Sequence, residues 1–207
     1  MKAWNAAASR SSIDKTLKAL NENCIETTFA ANAEEAKKMV LAMIPEGSEV
    51  LTMTSLTLDT IGLAKELNES GRFNALRSAF AKMNPQMHGK EMRKLGAGPD
   101  FAIGSAHAVT ETGTVLVASN TGSQLPAYTY GGGTVILVVG AQKIVPDVEE
   151  GMKRIDEYLI TKESERARKA YGLPESWNTS ANKILLLNRE SQPGRLKLII
   201  VNEVLGN

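Results

Sequence analysis

The sequence predicts an α/β fold, a mostly parallel sheet flanked by helices, from three observations. Short β-branched runs alternate with amphipathic stretches along the chain. Three of those runs, "FAIG" (101–104), "TVLVAS" (114–119) and "TVILVVG" (134–140), are apolar on both faces, as strands of a covered parallel sheet tend to be. The length, 207 residues, suits one domain with a sizeable core, and no linker or repeat divides it. A single domain over 1–207 is therefore expected.

The elements follow in order. Ile13, Leu17, Leu20 and Cys24 fall on one stripe and predict a helix over 10–22, and a short strand follows over 25–30. Asn32 with Glu35 has the form of a capping box. Behind it Ala36, Met39, Val40, Met43 and Ile44 make the apolar face of a second helix. "PEG" (45–47) ends that helix and "SEVLTM" (48–53) is the next strand. A helix is expected from about Leu58 to Leu67, with Ser55 and Thr57 competing for its cap, until "ESGRF" breaks it. Two helical pieces then flank Asn84-Pro85, because proline disfavours helical backbone in the residue before it. After the three buried strands, Pro146, Asp147 and Glu150 open a helix whose stripe is Val148, Met152, Ile155 and Leu159. "ESERARKA" (163–170) is polar enough for an exposed helix. "KILLLN", a Gln192-Pro193-Gly194 turn and "LKLIIV" read as a C-terminal β-hairpin.

Composition narrows the function classes. With 24 Lys+Arg against 23 Asp+Glu, the chain lacks the basic footprint of nucleic-acid binding. One cysteine, Cys24, builds neither a disulfide nor an iron–sulfur or zinc site alone, and beside Ile25 it reads as a buried, inert thiol. No apolar stretch is long enough to cross a membrane, and the N-terminus lacks the apolar core of a signal peptide, so a cytoplasmic protein is expected. His88 and His107 lie without metal-ligand spacing, and the glycines of 131–133 have no phosphate-loop frame. No motif names a cofactor.

Open α/β sheets bind ligands beyond the carboxyl ends of their strands. Those exits gather Ser55 and Thr57 after 48–53, then Ser119, Asn120, Thr121, Gly122 and Gln124 after 114–119, and Lys143 after 134–140. Hydroxyls and free helix N–H groups favour a small anion, and Lys143 adds charge. The competing reading makes the same residues caps and turns. Glu111 enters the 114–119 strand rather than leaving it, and is a candidate general base, nucleophile or simple acceptor. Two geometries stay open for it: strands 101–104 and 114–119 antiparallel, or an abbreviated crossover. His107 would reach the site if 105–110 formed a short helix.

The segments "DFAIGSAHAVTETGTVLVASNTGSQLPAY", "VVGAQKIVPDVEEGMKRI" and "QPGRLKLIIVNEVLG" resemble the lactate-utilisation (LUD) domain family, from about residue 10 to the end. The resemblance implies a three-layer fold like that of sugar-phosphate isomerases, glucosamine-6-phosphate deaminases and CoA transferases. It also implies a place in lactate or organic-acid utilisation, in some members beside iron–sulfur partner proteins. The family's Gly-Gly-Ser turn is Met53-Thr54-Ser55 here, which makes close backbone approach to an anion harder. Three functional readings follow: a binder of a small anionic metabolite, a non-enzymatic subunit docking an iron–sulfur partner, and an acyl or CoA transferase with Glu111 as nucleophile. A homodimer is expected by analogy with related folds.

Overall fold

The computed structural model describes residues 4–207. In chain order the elements are α1 (Arg10–Glu22), β1 (Glu26–Ala30), α2 (Ala33–Met43), β2 (Glu49–Thr52), α3 (Leu56–Thr60) and α4 (Leu63–Glu69). Then come β3 (Asn74–Ala75), α5 (Leu76–Phe80), α6 (Pro85–Ala97), β4 (Phe101–Gly104), β5 (Ala108–Thr110) and β6 (Val115–Ser119). The chain ends with β7 (Thr134–Gly140), β8 (Ile144–Val145), α7 (Val148–Arg154), α8 (Ile160–Tyr171), β9 (Lys183–Leu187) and β10 (Leu196–Val201). Two π-helical turns, Ala127–Gly131 and Ile155–Leu159, interrupt this series. Among the described residues no helix is long and apolar enough to cross a membrane.

Six strands form one sheet in the order β1-β10-β7-β4-β2-β3, every pair parallel. Alternate residues feed two cores, as a two-residue side-chain period requires. Val135, Leu137 and Val139 pack towards α1 and a second sheet, whereas Ile136 and Val138 pack towards α2, α3 and α4. That is the expected α/β layering. The caps read from sequence hold: Asn32, Ser55 and Asp147 each accept a backbone N–H of the following turn, and Asn84, read only as a break, caps α6 in the same way. Gly62, at a left-handed φ of 66°, splits the expected 58–67 helix into α3 and α4.

Three expectations change. The 114–119 segment does not join the parallel sheet. As β6 it pairs antiparallel with β5 and β9 in a four-stranded sheet, β8-β5-β6-β9. It is apolar on both faces because Val115 and Val117 meet the main core while Leu116 and Ala118 meet the layer of Ile155 and Leu159. Double-sided burial reports layers, not strand direction. Residues 105–110 accordingly hold β5 rather than a short helix.

Both C-terminal strands form, but they do not pair as a hairpin. The Gln192–Arg195 turn closes as expected, and β9 goes to the edge of the small sheet while β10 enters the large one between β1 and β7. β10 is buried along nearly its whole length and needs neighbours on both sides; β9 is half-exposed and suits an edge. Cys24 is exposed rather than buried, since the chain leaves α1 there at a left-handed φ of 58° and turns Ile25 inward instead.

The Gly131-Gly132-Gly133 run is set by contact between backbones. A Cβ on Gly131 would lie 1.8 Å from the carbonyl oxygen of Ala97, at the end of α6. Gly131→Ala is therefore expected to cost about 1–3 kcal/mol or more through overpacking, read from urea denaturation midpoints.

Candidate functional site

The carboxyl edge of the large sheet has a topological switch point. From β2 the chain leaves for the outer strand β3, and from the adjacent β4 it leaves in the opposite direction, so the two exits open a crevice. Lys143 reaches that crevice from the end of β7 through the short turn Ala141–Lys143. Its Nζ donates to Thr57 Oγ1 on α3 at 2.9 Å and to Ser105 Oγ just after β4 at 3.2 Å. Thr57 spends its own hydrogen on the Leu205 carbonyl, and Ser105 spends its hydrogen on the Ala106 carbonyl. Lys143 is 4% exposed and has no carboxylate partner among the described ion pairs. Burial, with the nearby Arg154 charge, brings its pKa down to about 7.

Tyr128 closes the floor. Its hydroxyl takes the space a side chain at Gly104 would need, and it hydrogen-bonds the Ser105 backbone. Burial pushes its pKa upward, so it stays a neutral phenol. The π turn that carries it is held by Arg195, which donates to the carbonyls of Tyr128, Thr129 and Gly132 while pairing with the buried Glu190.

Arg154 is the contrasting case. It is 0% exposed at the end of α7, and its Nη1 donates to the His107 carbonyl at 2.7 Å. Its Nε and Nη2 are buried with no hydrogen-bond partner, while its guanidinium lies 5.3 Å from the Tyr158 ring centroid. Burial draws its pKa down to about 10, still well charged at neutral pH. His107 accepts the Ala118 N–H at Nδ1, 3.0 Å away. Burial and the Lys143 and Arg154 charges hold its pKa near 3, so the ring is neutral and carries its proton on Nε2.

Of the residues that sequence singled out, the structure brings Thr57 and Lys143 into contact, sets His107 within reach of the Lys143 charge, and gives Ser119 and Asn120 a cleft shared with His107. Ser55 caps α3. The β6 exit belongs to the small sheet: Ser119 accepts the Gly122 N–H and donates to Gln124, Thr121 bonds Ser123, and Asn120 donates to the Ser180 carbonyl. Gly122, at φ 87°, leaves room for Lys183 above it. Ser119, Asn120 and His107 line a shallow cleft against Ile155, Leu159 and Glu163. Glu111 lies at the opposite end of β6, outside that lining. Its carboxylate takes a short hydrogen bond from Ser12 and pairs with Lys15 at 2.9 Å, and the Ser12 bond, then Lys15, holds its pKa below the usual range.

Arg154 went unread in the sequence, although Gly151, Arg154, Ile155 and Tyr158 have helical spacing. Gly151 packs on Leu116, which turns this stripe towards the small sheet. A basic residue beside a glycine on an otherwise apolar stripe was the available signal.

A family model, LUD domain, matches residues 13–201. A DUF162 family protein from Deinococcus radiodurans has a similar solved structure, with TM-score 0.58 and 16% identity, over 94% of this chain and 99% of that one. At that identity the likeness speaks for the fold. No curated protein matches.

Two stability measurements check the electrostatics. The unfolded chain holds the Lys143 proton above pH 7, where the folded chain has released it. More protons bound when unfolded means stability that rises with pH. This contribution grows from about pH 7 to the ordinary lysine range, and Lys143→Met is expected to abolish it in urea titrations across pH. Arg154→Met should leave stability unchanged or raise it by about 1 kcal/mol, since an uncompensated buried charge is replaced by an apolar chain. A loss above about 3 kcal/mol would mean that the guanidinium serves the fold.

Proposed function

This chain belongs to the LUD domain family, and we propose that it binds a small organic anion, of the lactate class, where β2, β4 and β7 end. One observation carries the reading: Arg154 and Lys143 are both buried, the Arg154 charge lies close enough to lower the Lys143 pKa, and neither has a carboxylate partner among the described ion pairs. A buried cation with unmade hydrogen bonds is costly, and a ligand carboxylate supplies the missing charge and acceptors together. The free Nε and Nη2 edge of Arg154 has the fork geometry that a carboxylate accepts in two bonds. Lys143, placed by Thr57 and Ser105, adds a second cation while it is protonated, and His107 offers Nε2–H as a neutral donor. The Asn120 loop borders the cleft on which His107 stands and forms the proposed rim. In this reading the chain serves lactate or related organic-acid utilisation as the anion-binding component.

The transferase reading needs Glu111 free to attack. Its carboxylate is engaged by Ser12 and Lys15 instead, away from the basic group.

Isothermal titration with L-lactate tests the proposal. Saturable binding is expected, about tenfold weaker at pH 8 than at pH 6 as Lys143 loses its proton near pH 7. Lys143→Met should remove the pH dependence, and Arg154→Met should remove the binding. If neither lactate nor any small carboxylate saturates the protein, the reading fails.

A further inference from the structure

The hydrogen bonds around Lys143 are countable. Thr57 donates to the Leu205 carbonyl and Ser105 to the Ala106 carbonyl, so both hydroxyl oxygens are left as acceptors for Nζ. Two acceptors match the two N–H bonds of a neutral amine. An ammonium would bring a third N–H with no acceptor at a buried position. The neutral form satisfies the site and leaves the nitrogen lone pair unengaged. Leu205 is fixed in turn, because Gln142 accepts its N–H and donates to its carbonyl. The two acceptors that hold the amine come from α3 and the β4–β5 link, and the C-terminal segment orients the first of them.

We propose that Lys143 is an amine nucleophile that forms an imine with the carbonyl carbon of a small 2-oxo acid, whose carboxylate rests on the free edge of Arg154. This rests on the anion-binding reading and names the substrate class within it. The step balances without an oxidant or reductant. The lone pair of Nζ attacks the carbonyl carbon, the amine gives up its two hydrogens, and the carbonyl oxygen leaves with them as water. Burial keeps an amine neutral and nucleophilic near neutral pH, in accord with a Lys143 pKa brought down to about 7. The titratable and charged groups facing it are Arg154 from α7 and His107 from the β4–β5 link; neither is an acid that would hold the proton on the lysine.

Reductive trapping tests this. The full chain is incubated with pyruvate and sodium cyanoborohydride, then read by intact mass and peptide mapping. One reduced adduct on the Lys143 peptide is expected, forming, at pyruvate concentrations that saturate the site at each pH, about tenfold slower at pH 6 than at pH 8 as the amine gains its proton. Lactate, which has no carbonyl, should give none. No adduct at Lys143 in the wild-type chain, or labelling spread over surface lysines and unchanged in Lys143→Arg, overturns the proposal. Calorimetry separates the two readings: pyruvate and lactate both binding without an adduct keeps the anion site and removes the imine. If neither ligand binds, both fall.

Discussion

Positive charge buried without an acid is the constraint from which the rest of this site follows. The protein provides its own control. Arg195 is 7% exposed, pairs with Glu190 and spends its remaining donors on three carbonyls. Arg154 is more deeply buried, yet makes one hydrogen bond and leaves two nitrogens without partners. Both side chains belong to the same chain and the same interior, so incomplete satisfaction at Arg154 is a local property of its surroundings. Burial first, and then the Arg154 charge, disfavour the charged form of Lys143. The depressed lysine pKa is how the folded chain relieves that cost: it releases a proton rather than importing a carboxylate.

The fold makes this arrangement possible by sending two adjacent strands across a layer boundary. β4 and β7 are neighbours in the large sheet, and their continuations, β5 and β8, are neighbours in the small one. The two short links between the sheets carry Ser105, His107 and Lys143, so the chemistry-bearing side chains lie at the seam. Close packing fixes the links. Gly104 yields its side-chain space to the Tyr128 hydroxyl, and a Cβ on Gly140 would meet Gln142 Oε1 at 2.2 Å and the Leu205 nitrogen at 2.7 Å. A side chain at either glycine would displace a residue that positions the lysine or its acceptors.

Much of the layering was legible because local rules and tertiary structure agreed. Asn32, Ser55 and Asp147 cap the helices their positions announce, and the β7 run has two-sided burial in the middle of a parallel sheet. The pairing of β6 and β9 was not legible, since apolarity on both faces fits any strand between two layers. The site divided in the same way. Thr57 and Lys143 follow from the rule about strand exits, which depends only on knowing the parallel strands. The Asn120 loop was grouped with them because β6 was assigned to the same sheet; it leaves the small sheet instead, where its hydroxyls and amides hold their own turn and the approach to β9 and border the cleft shared with His107. Arg154 was hard to read because its spacing from Gly151 was the one local hint of burial, which is decided only when α7 packs on the small sheet.

The position of Arg154 has a further structural cause. α7 does not continue into α8 as a regular helix; the π turn at Ile155–Leu159 begins at the residue after the arginine. Arg154 and Ile155, neighbours in sequence, are both 0% exposed. A regular amphipathic helix on a sheet buries one stripe and leaves adjacent residues on diverging faces. A widened turn inserts an extra residue into the helical repeat, and such turns recur at functional sites. Here the buried series continues as Ile155, Leu159 and Ser164 across the insertion, so the apolar packing of α8 is preserved while Arg154 stays inside. A second π turn carries Tyr128, whose hydroxyl hydrogen-bonds the backbone of the Ser105 link. Two helical irregularities thus flank one seam, each bringing in a polar side chain that regular periodicity would not keep so deep.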